Sequence, residues 1–367
     1  MRLKHLDFLR GIAVILVLLR HYALSDVLFN IGWVGVDLFF VLSGFLVSGL
    51  LFNEYIKYGN IKPILFLIRR GLKIYPLFYF ALILSIILIS FFNLIKWTDI
   101  NLWRGGLIAE FLFVQNYFGH IWDHTWSLAV EEHFYFILVL LIFILSRVKV
   151  LNNTKIFIFI FLFVAVSCLV LRFDNFMTRP FTTYTHVFAT HLRIDSLMFG
   201  VFLSYLYHYH KVRFSLFFSK NKTILLLFSG FCLISPFVFN IETFFMNTMG
   251  LTLLYLGFGT ILSVMVVDPG SVDLLDKFLG KITVNVISRI GFYSYSIYLW
   301  HIIILFYLTV LVKNLFSVEP PQYIMFIVYF FSSIFIAIGA SKSIEQKFLK
   351  LRDRKYPSRS KTALIEN

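Results

Sequence analysis

Charge is what this 367-residue sequence has least of. Asp, Glu, Lys and Arg together make up 14% of it, against about 25% in an ordinary soluble domain. The shortage falls mainly on one sign, with 19 acidic residues against 33 basic ones. Cysteine is nearly absent. Cys168 and Cys232 each sit inside an apolar run, which rules out a disulfide framework and leaves no metal-ligand spacing. Both read as small buried hydrophobes. There is no internal repeat, no long linker and no appended soluble stretch of useful size.

In place of charge there are long apolar runs: 59% of the residues are hydrophobic and 46 are Phe. This places the chain in the all-α, polytopic membrane class. A helix needs about 20 mostly apolar residues to cross a bilayer. Ten segments satisfy that: 7–24, 34–55, 74–95, 129–146, 155–172, 190–207, 223–239, 248–267, 292–312 and 322–341. The run 105–118 is short and carries Glu110 and Gln115, so it reads as interfacial or re-entrant. The N-terminus imitates a signal peptide, but Arg10 interrupts the apolar region and no small-residue cleavage site follows, so it reads as an uncleaved first span.

With the N-terminus placed in the cytoplasm, 25 of the 33 Lys and Arg residues fall in cytoplasmic segments and five in outer ones, among them Lys96, Arg104 and Arg172. That asymmetry sets the orientation, with both termini on the cytoplasmic side of the membrane. The net charge of +14 is then a matter of topology and the lipid bilayer, and no nucleic-acid partner is implied. Residues 1–345 form one transmembrane domain. Residues 346–367 read as a basic cytoplasmic tail, disordered and either solvated or resting on anionic lipid.

The first span opens the functional argument. RGIAVILVLLRH, residues 10–21, puts an arginine at one end of a nine-residue apolar run and a histidine at the other. Charge inside a membrane is expensive and usually functional. Eleven residues of helix make three turns plus about 20°, so Arg10 and His21 share a face about 16 Å apart. Asp7 lies one turn before Arg10 and can pair with it. Arg20 points away from His21. Arginine suits phosphate, and neutral histidine is the usual general base near pH 7. A ligand with phosphates at one end and a reactive group at the other, joined by a thin arm, fits this spacing. Acyl-CoA entering from the cytoplasm is such a ligand.

Other polar residues gather at matching depths. IRRGLKIYP, 68–76, supplies Arg69, Arg70 and Lys73 for the nucleotide phosphates. HTWSLAVEEHFYF, 124–136, supplies Glu131 and Glu132 at roughly the level of His21, as orienters of its ring or as bases. The spacing leaves open which one points inward. Ser127, Glu131 and Tyr135 share one helix face, and Trp126 and Tyr135 read as interfacial anchors. Arg193 and Asp195 can pair with each other or with the glutamates, in a site or in a charge network that fixes packing. His301, in YSYSIYLWH, can line an acyl tunnel. No metal site is expected. The rival reading is a transporter or flippase of a lipid-linked saccharide, but the broken helices in symmetric repeats that it calls for are not seen.

Six segments in register resemble the acyltransferase family 3 membrane proteins, the group of bacterial O-antigen acetylases. They are LDFLRG with His21 at the R-x10-H spacing, GWVGVDLFFVLSGFL (32–46), RRGLKIYP (69–76), TWSLAVEEHFYF (125–136), RIDSLMFG (193–200) and YSYSIYLWH (293–301). The resemblance implies ten helices and transfer of acyl, usually acetyl, from acyl-CoA to a hydroxyl of a cell-surface or lipid-linked carbohydrate at the outer side. It gives weight to Arg10, His21 and the two glutamates. Direct attack on the thioester and an acyl-histidine intermediate both remain compatible with it. Ser127, Tyr135 and Arg193 are the candidate oxyanion stabilisers. Phe8, Lys73 and His133 stand where the family often has glycine, arginine and glutamine. Some members carry a C-terminal SGNH hydrolase-like domain that this sequence does not show. The expectation is therefore that the membrane domain completes transfer alone or with a separate periplasmic partner.

Overall fold

A computed structural model describes residues 4–22, 24–91, 106–268, 270–315 and 320–359. It is 86% helical, and no strand occurs among the described residues. The outer loop expected to hold Lys96 and Arg104, and the last residues of the tail, 360–367, lie outside the described residues.

Helices occupy the described residues of each of the ten expected spans. The main helices are α1 (Lys4–His21), α2 (Gly35–Tyr58), α3 (Pro63–Phe91), α4 (Trp126–Arg147), α5 (Thr154–Thr178), α6 (Ile194–Tyr209), α7 (Lys222–Leu233), α8 (Leu251–Val267), α9 (Lys281–Phe292), α10 (Ser294–Leu315), α11 (Gln322–Ala340) and α12 (Gln346–Lys355). Among the described residues, seven helices are long and apolar enough to cross a membrane. An eighth span arises if Lys211–Lys220 and Lys222–Val238, bent by 79° at their junction, are taken together. The chain is a multi-pass membrane protein. The remaining two expected spans are α1, which carries Lys4, Asp7, Arg10 and Arg20, and α6, which has 16 residues. Sixteen residues rise only about 24 Å. Both helices sit inside the bundle, where neighbouring helices rather than lipid surround them. By contrast α5 turns Phe159, Leu162, Phe163, Val166 and Val170 outward, as a lipid-facing helix must.

Two glycine contacts set the central spacing. A Cβ on Gly11 would stand 2.1 Å from the Ile287 carbonyl oxygen, and one on Gly291 would stand 1.7 Å from that of Asp7. The backbones of α1 and α9 therefore touch beside Arg10. Gly44 and Gly200 do the same for α2 and α6. Small residues at such crossings allow the close approach by which membrane helices associate without a hydrophobic driving force.

The run 105–118 is two short helices, Gly106–Phe111 and Gln115–Phe118, separated by Phe113 in a left-handed conformation (φ 57°). It folds back into the protein. Buried Glu110 accepts hydrogen bonds through Oε1 from the Ile121 and Trp122 amides (3.1 and 2.9 Å) and from the Thr125 hydroxyl (3.1 Å). The Gln115 amide donates to the Thr125 carbonyl at 2.9 Å. These bonds hold the loop that leads into α4.

The tail differs from the expectation of disorder. Residues 346–355 continue from α11 through a π-turn at Ser341–Glu345 as α12, and Asp353 pairs with Arg69 of α3 at 3.0 Å.

Candidate functional site

Between α1, α2, α3, α4, α10 and α12 lies a cavity of about 910 Å³. Arg69, Arg70, Arg352 and Arg359 line it, an excess of positive charge over the Asp353 and Glu54 that pair with three of them. Arg10, Lys73, Ser43, Glu131, Tyr135, Ser127 and Tyr298 also belong to the wall. Seven residues expected from the sequence thus share one cavity: Arg10, Arg69, Arg70, Lys73, Ser127, Glu131 and Tyr135. Arg10 is held by Asp7 at 3.1 Å, as the one-turn spacing predicts. The Arg70 guanidinium stands over the rings of Phe66 and Tyr135, at 5.6 and 5.7 Å. It makes no hydrogen bond or ion pair among the described residues and remains available to an anion.

Tyr298 separates this cavity from a cluster of imidazoles. Its hydroxyl donates to the His124 carbonyl at 2.7 Å and lies 2.5 Å from Ser127 Oγ. Ser127 therefore acts as the donor in the second bond. Beyond the Tyr298 ring stand His124 and His301, at 5.7 and 5.6 Å between centroids. His301 is 4.9 Å from His124 and 5.0 Å from His21. His124 and His301 are buried, whereas His21 is exposed.

A carbonyl can only accept a hydrogen bond, and this fixes two tautomers. His124 Nε2 bonds the Leu299 carbonyl at 3.0 Å and His301 Nδ1 bonds that of Tyr298 at 2.5 Å. Each bonded nitrogen carries the proton. His124 Nδ1 and His301 Nε2 are left as buried lone-pair acceptors with no partner among the described residues. These two rings and the exposed His21 form a row of three imidazoles, with His301 in contact with both of the others. Among the described residues no cluster suits a metal ion.

Several expected placements are corrected. Arg10 and His21 do not line one open passage, because His21 is not in the cavity wall and lies past Tyr298 and His301. The glutamates do not orient His21. Glu131 accepts from Ser43 (2.9 Å) and Tyr135 (2.5 Å), and Glu132 accepts from Tyr75 (2.8 Å). The reason is the inward fold of 106–125. It sets the start of α4 against α10, with His124 bonded to the Leu299 carbonyl, so His124 rather than a glutamate is the α4-side residue that joins His301. For the same reason Trp126 and Tyr135 are buried rather than interfacial. Trp126 stacks on Phe188 at 4.8 Å.

Arg193 and Asp195 neither pair with each other nor reach the cavity. Arg193 bonds Asp37 at 2.6 Å, Asp195 bonds Arg172 at 2.5 Å, and all four side chains are buried. Arg172, expected in an outer segment, belongs to this network. His301 lies behind the cavity wall. His133 bonds Thr190 at 2.7 Å, away from the cavity. Arg20 donates to the Phe29 carbonyl at 2.6 Å and covers the Phe29 ring, a local fastening of the α1 end.

Sequence reasoning passed over His124, Asp37 and the arginines of the tail. His124 and Asp37 both stand inside segments singled out for other residues, and an ionisable group in an apolar segment was their signal.

A family model described as an acyltransferase domain matches residues 3–342. The chain is 29% identical over 319 residues to the peptidoglycan O-acetyltransferase OatA of Listeria monocytogenes, which covers 81% of this chain and 48% of that protein. It is 30% identical over 323 residues to the O-acetyltransferase OatA of Staphylococcus aureus, which covers 82% of this chain and 50% of that protein. The chain thus spans about half the length of the curated relatives it matches. No solved structure matches it.

Proposed function

The chain belongs to this acyltransferase family, and from that membership we propose that it moves an acyl group, acetyl by preference, from acyl-CoA to a carbohydrate hydroxyl on the far side of a bacterial inner membrane. The observation that carries the reading is a single cavity. It runs from a basic mouth to the Ser127–Tyr298 pair, one aromatic ring away from three imidazoles. Its volume is in the range of small-molecule sites.

In this reading Arg69, Arg70, Lys73 and Arg10 hold the donor's phosphates from the cytoplasmic side. Charge-assisted bonds of this kind are roughly twice as strong as neutral ones. The thin arm of the donor follows Ser43, Glu131 and Tyr135 inward. The thioester meets the Ser127–Tyr298 pair, and turning of Tyr298 away from Ser127 frees the Ser127 proton to bond the carbonyl oxygen as negative charge develops there. Rotation of the Tyr298 side chain joins the cavity to the histidines.

The acceptor, a glycolipid or surface saccharide, arrives on the exposed side of His21. An imidazole takes the proton of its hydroxyl, the oxygen bonds to the acyl carbon, the carbon–sulfur bond breaks, and the proton passes to the departing thiolate. Histidine is suited to both proton steps at neutral pH. A first transfer of the acyl group to His21, followed by attack of the acceptor, uses the same groups. With this topology both termini are cytoplasmic. The peptidoglycan substrate in the Listeria relative's name makes a cell-wall glycan one acceptor to test, directly or through a separate periplasmic partner.

The test is to supply radiolabelled acetyl-CoA to inside-out vesicles containing the protein and follow label into the glycan fraction, with His21→Ala as the control. Transfer in the wild type and its loss in the variant are expected. Saccharide translocation without use of acetyl-CoA would replace this reading with that of a flippase.

A further inference from the structure

The matched family region ends at 342, yet the basic mouth of the cavity is finished by residues beyond it: Arg352, Asp353, Pro357, Ser358 and Arg359 all line the wall. The segment is tied down at two points. Asp353 Oδ1 accepts from Arg69 at 3.0 Å and from Arg352 Nε at 2.9 Å, so one carboxylate bridges two guanidiniums at the mouth. Further on, Arg359 donates to Glu54 and to Asn60, each at 3.0 Å, and its guanidinium covers the Tyr58 ring at 4.3 Å. The Tyr58 hydroxyl donates back to the Arg359 carbonyl at 2.9 Å. The strap thus crosses from α3 to the end of α2 over the opening.

We infer that the C-terminal strap, residues 346–359, is part of the donor site: Asp353 occupies the place of a donor phosphate between Arg69 and Arg352 until the donor displaces it, and Arg359 lends a further cation to the bound donor. The inference rests on the reading of the cavity as an acyl-CoA site. The geometry favours exchange over a fixed brace. A single carboxylate oxygen held by two arginines mimics a phosphate oxygen, and the Asp353 side chain is 58% exposed while Arg69 and Arg352 are 19% and 18% exposed. Water screens such a pair, so it yields readily to a dianion. The strap would then close on the donor by trading one anion for another, without a change of fold.

The experiment is calorimetric titration of the full chain in detergent with acetyl-CoA. Asp353→Asn is expected to tighten binding by about threefold, the value of releasing an exposed ion pair. Arg352→Ala and Arg359→Ala are each expected to weaken it by about tenfold, as loss of a charged hydrogen bond does. A mere brace would move affinity the other way or not at all when Asp353 is neutralised, so unchanged or weaker binding by Asp353→Asn overturns the exchange. Asp353→Asn is isosteric and exposed, so the test survives if an arginine variant fails to fold. Unchanged binding by both arginine variants removes the strap from the donor site. Arg70→Ala separates the two levels of argument. If it weakens binding while the strap variants do not, only this inference falls. If the wild type binds no acetyl-CoA, the donor reading falls and takes this inference with it.

Discussion

The hydroxyls of Tyr298 and Ser127 lie 2.5 Å apart, and this pair stands where the cavity faces the histidines. Removing the Tyr298 side chain should join the two spaces permanently. Tyr298→Ala is expected to raise hydrolysis of acetyl-CoA in the absence of acceptor several-fold while transfer to glycan falls. Thiol release measured with and without acceptor checks this. A variant that loses both in proportion would mean that Tyr298 does not separate them.

His21 is the exposed member of the imidazole cluster, 5.0 Å from His301. His21→Ala should cut transfer by about 10²–10⁴, the usual share of general acid–base catalysis, and leave the affinity for acetyl-CoA within twofold, because His21 is outside the cavity. Paired turnover and titration measurements decide it. Retained turnover would take His21 out of the chemistry.

The Asp37–Arg193 pair is buried, and the Arg193 guanidinium also faces Trp126 and Phe40 at 5.6 and 5.7 Å. Arg193→Met leaves the Asp37 carboxylate without its partner and should cost about 3–5 kcal/mol. The double variant Asp37→Leu with Arg193→Met should recover much of that. Thermal unfolding in detergent follows both. Equal losses in the single and double variants would show that the pair is not the source of the cost.

Burial pushes the Glu110 carboxyl up to about 7 from an ordinary 4.5. The other oxygen, Oε2, has no partner among the described residues and can carry the proton. A raised folded pKa favours the folded protein at low pH. This contribution is complete below about 4.5, is lost as pH rises toward 7, and is flat above. It amounts to on the order of 3 kcal/mol. Glu110→Gln should therefore reduce the difference in unfolding temperature between pH 4.5 and pH 8. An undiminished difference would assign it to other groups.

Gly11→Val tests the α1–α9 contact. With a Cβ only 2.1 Å from the Ile287 carbonyl oxygen, the helices must part. The expected outcome is a lower unfolding temperature and weaker acetyl-CoA binding, since Arg10 is the adjacent residue. Full affinity in a folded Gly11→Val protein would separate Arg10 from the donor.

The helices were legible because apolar runs long enough to span a bilayer leave little else for a chain to do. The shared face of Ser127, Glu131 and Tyr135, and the Asp7–Arg10 pair, followed from helical spacing alone. The level at which α4 meets its neighbours was not legible. It depended on Glu110 and Gln115 fastening residues 121–125 ahead of α4, a tertiary event with no periodic trace. This one fold-back moved Glu131 and Glu132 away from His21 and brought in His124. Arg193 and Asp195, neighbours in sequence, were separated by partners on α2 and α5 that only packing reveals. The tail's composition looked solvated because its anchors, Glu54, Asn60 and Arg69, are hundreds of positions away.

A membrane that stores energy as an ion gradient cannot tolerate a watery hole. In the proposed reaction the Tyr298 ring stands between the cavity and the histidines, and a ring in that place would deny protons and sodium a hydrated path while an acyl group is handed across as part of a covalent molecule. The bilayer would keep its electrical resistance even as carbon leaves the cell.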